Sequence, residues 1–192
     1  QVDMIFMSVC RALDAHVATL VVGRGSNLLV ADAGFDGLAL QLGPAFASVE
    51  PVEGDPTLLR AGGAASLPVV ARRSVAAGLS GFEWAVGVPG SIGGAVRMNA
   101  GGHGSDMSET LERVRVIDLA TGEDVSMAPA ALELSYRHSS LGASQVVVSA
   151  DLRLAPGDTA KGERQLNEIV RWRRANQPGG HNAGSVFANP DG

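Results

Sequence analysis

Four short stretches of this chain hold residues whose types and spacing could do chemistry. In "VVGRGSNLLV", residues 21–30, Gly23 and Gly25 follow a strand-like run. A Rossmann fingerprint would need a third glycine at position 28 and a helix behind it, but position 28 is Leu and apolar residues continue. What remains is a strand–turn–strand corner. Glycines let the backbone approach an anion, successive N–H groups form a nest, and Ser26 and Asn27 add donors; a plain turn is the competing reading. The second stretch, "GFEWAVGVPGSIGGAVRMNAGGHG", packs Gly87, Pro89, Gly90, Gly93 and Gly94 together and continues through Asn99 and Gly101-Gly102. Nine of the 25 glycines fall between Gly78 and Gly104. Backbone without side chains beside a stiffening proline suits a pyrophosphate. In "LSYRHSSL", Arg137 is either a surface charge or a cation aimed at a developing negative charge. The last stretch, "NAGSVFANP", presents Ser185 between glycine and apolar residues. It has no G-x-S-x-G elbow, so the nucleophile reading fails; a proton donor in a water-excluded site is chemically open. His138 and His181 match no metal-site spacing and read as turn or solvent-facing residues.

The elements that must position these residues follow from pattern. Val2, Ile5, Phe6, Val9 and Leu13 mark an amphipathic helix, with Cys10 on its apolar stripe as a small buried hydrophobe. "ATLVVGRGSNLLV" reads as strand, glycine turn, strand, and "ADAGFDGLALQLG" as a further turn and strand. A hairpin is expected around Gly54-Asp55, then a helix capped by Ser66 along Leu67, Val70 and Val75 and stopped by Gly78. From Gly78 to Gly104 little regular pattern exists. A second hairpin turns at Thr121-Gly122-Glu123, "QVVVSADLRL" is a strand, and "GERQLNEIVRWRRANQP" is a helix with Leu166, Ile169 and Val170 inward. The class is α+β.

Composition bounds the function. The chain has 192 residues, 45 % apolar and 18 % charged, with net charge −5 and no run of Lys or Arg that would mark a nucleic-acid or membrane surface. A single cysteine excludes an internal disulfide framework. No apolar run has the length of a membrane span and no signal-peptide pattern opens the chain, so a cytoplasmic protein is expected. Gln1 and Gly192 read as cut ends.

The four motifs, in this order, resemble the UDP-N-acetylenolpyruvoylglucosamine reductase (MurB) family of flavoenzymes in peptidoglycan precursor synthesis. The matching stretches are "GRGSNLLVADAGFDG", "GLSGFEWAVGVPGSIGGAVRMNAGGHG", "LSYRHSSL", "ADLRL", and "RRANQP" followed by "AGSVFANP". The resemblance implies a VAO/PCMH-type FAD-binding fold of two α+β subdomains, residues 1–43 and 44–174. Residues 175–192 would then begin a substrate-binding domain. It implies non-covalent FAD held by Gly23, Arg24, Gly25, Ser26, Asn27 and Leu28 and by Gly87, Val88, Pro89, Gly90, Ser91, Gly93 and Gly94, with Asn99 and Gly101. In the family reaction NADPH reduces FAD, and hydride then passes to the enolpyruvyl ether of UDP-N-acetylglucosamine enolpyruvate, giving UDP-N-acetylmuramate. Arg137 matches the family's cation and Ser185 its general acid. The family's N-terminal arm and a glutamate near its C-terminus have no counterpart here, and the shorter family subtype is favoured. Two other readings stand beside this one. The first is another FAD oxidoreductase of the same fold; some of those attach flavin through His or Cys, and His103 is the nearest such residue. The second is a non-catalytic nucleotide-binding fragment.

Overall fold

A computed structural model describes residues 17–177 of the chain. The expected first helix with Cys10, and the segment with His181 and Ser185, lie outside the described residues.

Strand β1, Thr19–Val22, pairs with β2, Leu38–Gln41, in parallel. The strand expected at Leu28–Val30 is absent: residues 28–37 are irregular, and Leu29 is 87 % exposed. A parallel pair cannot be closed by a tight turn, so the chain between β1 and β2 must cross over rather than fold back as a neighbouring strand. That requirement overrides the apolar run of Leu28, Leu29 and Val30.

The larger body is a five-stranded antiparallel sheet. β3, Val49–Val52, and β4, Asp55–Gly62, form the expected hairpin, with Gly54 at φ +83° in the turn. β8, Leu111–Asp118, and β9, Asp124–Met127, form the second, turning where Gly122 takes φ +77°. The central strand, β10, Gln145–Arg153, lies between β4 and β8, giving the order β3-β4-β10-β8-β9. Short pairs complete the set: β5, Leu79–Ser80, with β11, Ala155–Pro156, and β6, Gly101–Gly102, with β7, Ser105–Asp106.

Alternation gives the sheet two different faces. Leu59, Ala61, Val114, Val116, Ala150 and Leu152 point into the core. On the other face the register sets Glu50, Arg60, Asp151 and Arg113 side by side across four strands. Arg60 holds Asp151 with two parallel bonds of 2.6 and 2.8 Å, and Arg113 Nε lies 3.7 Å away. The carboxylate is buried while both guanidiniums are half-exposed. Removing it leaves two cations facing each other across β10. Asp151→Ala is therefore expected to cost about 2 kcal/mol, read as a lower urea midpoint at unchanged slope.

Helix α1, Leu67–Ala76, buries Leu67, Val70, Ala71, Ser74 and Val75 and ends before Gly78 at φ +73°. Ser66 precedes it as expected, but its side chain accepts no capping bond. Its backbone is engaged elsewhere: Ser66 bridges Ser91, Leu67 N–H donates to Gly90 O, and Ile92 N–H donates to Ala65 O. The start of α1 is thereby tied to the glycine-rich segment.

That segment is not the open loop its composition indicates. It contains a 3-10 turn, Glu83–Gly87, and a short helix α2, Ile92–Arg97, and Phe82, Trp84, Ile92 and Val96 are core residues. Helix α3, Thr159–Asn176, covers it from outside, starting three residues earlier than the apolar pattern indicates because the Asp158 carboxylate accepts from Lys161 N–H at 2.6 Å. Leu166 and Ile169 face inward, with Val170 partly buried. A Cβ on Gly162 would stand 2.7 Å from Val75 Cγ1, so this glycine lets α3 lie against α1.

A second, smaller apolar cluster joins the two bodies. Ile117 and Val146 of the large sheet, with Leu119 just past β8, meet Val21, Leu38, Leu40 and Leu42. The parallel pair thus leans on one end of β10, leaving a space beside that contact.

Candidate functional site

The space is a cavity of about 270 Å³. One wall is β1 and the corner after it, Thr19 to Arg24, with Gln41 and Leu42 from the end of β2. Opposite stand Ser91, Gly93, Gly94 and Arg97 of α2 and its cap, with Gly63 and Ala64 after β4. Gly142, Ala143 and the first residues of β10, Gln145 to Val147, close the third side.

Both glycine corners meet here, as the anion-cradle reading requires. Ser26 Oγ donates to Pro89 O at 3.1 Å, fastening the first corner to the second. A Cβ on Gly23 would come within 2.7 Å of Ser91 Oγ, and one on Gly90, at φ +138°, within 3.2 Å of Ser26 Oγ. Gln41 Nε2 donates to Gly23 O at 2.6 Å and so holds the corner from the β2 side. The backbone on each side of the cavity is accordingly pinned by side chains from elsewhere.

Not every expected residue lines it. Gly23, Arg24, Ser91, Gly93 and Gly94 do. Gly25, Ser26, Asn27 and Leu28 sit on the adjoining exposed loop, Pro89 and Gly90 lie where the corners touch, and Val88 stands beside Gly102. Gly87, Asn99 and Gly101 have other local reasons for their identity. A side chain at Gly87 would strike Ile169 Cγ2 at 2.9 Å, so α3 excludes it; one at Gly101 would strike Ser105 O at 2.6 Å. Asn99, buried and at φ +40°, donates to Asp106 Oδ2 and Ser135 O and accepts from Ser108 N–H. Gln41, Gly63 and Arg97 also line the cavity, outside the expected set. For Arg97 a signal existed: it follows Gly93 by four residues and Gly94 by three, the spacing of one helical face.

Arg137 occupies a two-residue turn closed by hydrogen bonds in both directions between Ser135 and His138. It has φ +54°, and its guanidinium carbon lies 5.9 Å from the centre of the Tyr136 ring. His138 is a turn residue, as expected. The turn is gripped on both flanks, by Asn99 Nδ2 to Ser135 O at 3.2 Å and by Ser139 Oγ to Arg97 O at 2.7 Å. Both anchors lie at or just past the end of α2, the helix that lines the cavity. Among the described residues, no group of His, Cys, Asp and Glu is placed to hold a metal ion. No described helix is long and apolar enough to cross a membrane.

The described residues form an α+β fold with side-chain-free corners meeting beside a cavity and no Rossmann sheet among them, consistent with the alternative FAD-binding class that the comparisons show. The profile described as FAD binding domain matches residues 5–128, and the chain belongs to that family. It is 42 % identical over 183 residues to the UDP-N-acetylenolpyruvoylglucosamine reductase of Sphingopyxis alaskensis, covering 95 % of this chain and 60 % of that protein. Against the reductase of the same name from Gloeobacter violaceus the identity is 45 % over 181 residues, 93 % of this chain and 60 % of the relative. The crystal structure of UDP-N-acetylenolpyruvylglucosamine reductase (MurB) from Thermus caldophilus superposes with a TM-score of 0.81 at 32 % identity, covering 96 % of this chain and 65 % of that one. The resemblance read from the ordered motifs holds. The chain spans about 60 % of the length of the curated relatives it matches.

Proposed function

We propose that this chain binds FAD non-covalently in the cavity between its two bodies. We further propose that it serves NADPH-dependent reduction of UDP-N-acetylglucosamine enolpyruvate to UDP-N-acetylmuramate, in the cytoplasm. The observation that carries the reading is the meeting of the two glycine corners at one cavity, through Ser26 and Pro89 and through Gly23 and Ser91. The residues present fit a flavin dinucleotide. Gly94 lines the cavity with no contact closer than 3.6 Å to an added Cβ, Gly23 and Gly93 let the walls close tightly around it, and two guanidiniums accompany them.

FAD held there would supply hydride-transfer chemistry between NADPH and the enolpyruvyl double bond. The chain's own residues do the rest. Negative charge develops on the carboxylate side of the substrate as hydride adds, and Arg137 counters it. A proton must then reach the neighbouring carbon, and Ser185 delivers it from its hydroxyl. The left-handed backbone at Arg137 and the bonds from Asn99 and Ser139 hold the turn in one orientation, so little reorganisation accompanies the step. We place the boundary between the two subdomains at residues 43 and 44 and the start of a substrate-binding domain at 175.

The two half-reactions test the assignment separately. Ser185→Ala and Arg137→Ala are each expected to leave flavin reduction by NADPH at its normal rate while slowing reduction of the enolpyruvyl sugar at least tenfold. Stopped-flow absorbance of the flavin reads both steps. Normal rates in both halves would remove these residues from the chemistry.

A further inference from the structure

A carboxylate stands one side chain behind the turn that carries Arg137. Asp106 ends β7, where it pairs with Gly101 of β6. The next residue, Met107, is fully buried, and its N–H donates to Ala100 O at 3.0 Å. A Cβ on Gly101 would come 2.7 Å from Asp106 Cβ, so the hairpin keeps room for this side chain. Asp106 Oδ1 accepts from Ser108 N–H at 2.9 Å and from the Ser108 hydroxyl. Its other oxygen, Oδ2, accepts from Asn99 Nδ2 at 3.2 Å. The carboxylate is thus fixed on its own backbone side and turned toward Asn99.

That bond decides which way round the Asn99 amide lies. Asn99 is 6 % exposed, so its amide must find partners within the protein. The nitrogen has two hydrogens, and they go to Asp106 Oδ2 and to Ser135 O, each at 3.2 Å. The oxygen accepts from Ser108 N–H at 3.0 Å. Turned over, the amide would set its oxygen against a carboxylate and a carbonyl, and its nitrogen against an N–H. Asp106 and the Ser108 N–H together exclude that orientation. Ser135 in turn closes the tight turn of Tyr136 and Arg137 through hydrogen bonds in both directions with His138. The bonds therefore run from Asp106 through Asn99 to the turn in which Arg137 takes φ +54°.

We propose that Asp106 is a positioning residue for Arg137, acting through the Asn99 amide. This rests on the reading of Arg137 as the cation that counters developing charge on the substrate. Asp106 does not line the cavity. Its contribution is orientation, because a guanidinium stabilises the developing charge only while it faces it. The effect falls on the enolpyruvyl half-reaction and spares flavin reduction, in which Arg137 has no part. Asp106→Asn removes the contribution while keeping the shape. With its oxygen at Ser108, the new amino group meets the Asn99 nitrogen, donor against donor; turned round, it meets the Ser108 N–H instead. Asp106→Ser keeps a capping oxygen for Ser108 N–H and has none left for Asn99.

The test is a double-mutant cycle on the flavin-loaded chain, Asp106→Asn against Arg137→Ala, with each half-reaction read by stopped-flow flavin absorbance. Asp106→Asn should slow reoxidation of the reduced flavin by saturating enolpyruvyl sugar about tenfold. Reduction of the flavin by NADPH should keep the parent rate. In the Arg137→Ala background the same substitution should change reoxidation by less than about twofold, because the group it positions has gone. Asp106→Ser should give the same pattern, and it decides the question if Asp106→Asn does not hold FAD. Three kinetic results overturn the proposal: reoxidation at the parent rate in both Asp106 variants, equal slowing of the two half-reactions, or the same slowing with and without the Arg137 guanidinium. Loss of FAD from both variants also overturns it, since Asp106 would then serve the fold rather than Arg137. A parent rate of reoxidation in Arg137→Ala alone overturns instead the role of Arg137 beneath the proposal.

Discussion

Gly94→Leu is expected to abolish flavin binding while leaving the fold intact. Gly94 lies in α2 with ordinary helical backbone, so a leucine there is not strained and gains helix propensity of about 1 kcal/mol over glycine. The nearest atom to an added Cβ is Ser91 Oγ at 3.6 Å, an ordinary contact, so the helix itself accommodates the branch point. The remaining carbons must then occupy the cavity that Gly94 lines. A ligand seated there would have to displace a close-packed side chain, costing about 3 kcal/mol or more, which is over a hundredfold in affinity. Thermal melting and FAD titration should thus move independently. Gly43→Leu is the control: it makes the same chemical change at an exposed glycine with nothing within 4 Å, outside the cavity lining. It should bind FAD as the parent does. Loss of binding in both variants, or in neither, would mean that this cavity is not where flavin sits.

Gly63→Ala should do the opposite, damaging the fold first. A Cβ at this position would stand 2.0 Å from Val147 O, a backbone atom that cannot turn aside. Gly63 also joins three elements, its N–H donating to Val148 O at 2.7 Å and its carbonyl accepting from Gly93 N–H at 2.9 Å. One methyl group therefore pushes β10 and α2 apart together. The expected cost is about 3 kcal/mol, at the upper end of ordinary overpacking, or about 6–12 °C in melting temperature for a domain of this size. Flavin binding should weaken in parallel, because the displaced elements are two walls of the cavity. A melting temperature within about 2 °C of the parent would show that Gly63 has more room than its geometry allows.

The contrast between these glycines explains what could be read from the chain beforehand. Both hairpins were legible, because alternating apolar residues flank Gly54 and Gly122 and each turn needs left-handed backbone. Helices α1 and α3 were legible from their apolar stripes. The interior of residues 78–104 was not. Helix α2 spans only Ile92–Arg97 and contains two glycines, so it carries almost no periodic signal. High glycine content has the same appearance whether a ligand or a neighbouring helix needs the room. At Gly87 the neighbour is α3; at Gly94 the nearest atom is Ser91 Oγ at an ordinary 3.6 Å, and the cavity lies beside it. Only three-dimensional placement separates the two cases. The parallel pairing of β1 with β2 was hidden for a related reason. Leu28, Leu29 and Val30 have strand composition, but pairing is decided by the distant residues Leu38–Gln41.

The site was legible in part. Glycine corners marked the backbone of the cavity, and their meeting through Ser26 and Ser91 agrees with that reading. The side chains that fix those corners were silent. Gln41 lies 18 residues from the carbonyl it holds, and Ser139 lies 42 residues from Arg97. Such long-range single bonds leave no spacing pattern. Arg97 is distinguished from other arginines only by its placement with Gly93 and Gly94 on the helix that lines the cavity.

The most direct measurement of the central claim is the flavin content and FAD titration of the purified chain, followed by heat denaturation and recovery of the supernatant. A yellow protein that saturates at one FAD per chain and releases all of its flavin on heating is the expected result. A chain that takes up no FAD on reconstitution, or that keeps flavin attached after denaturation, would contradict it.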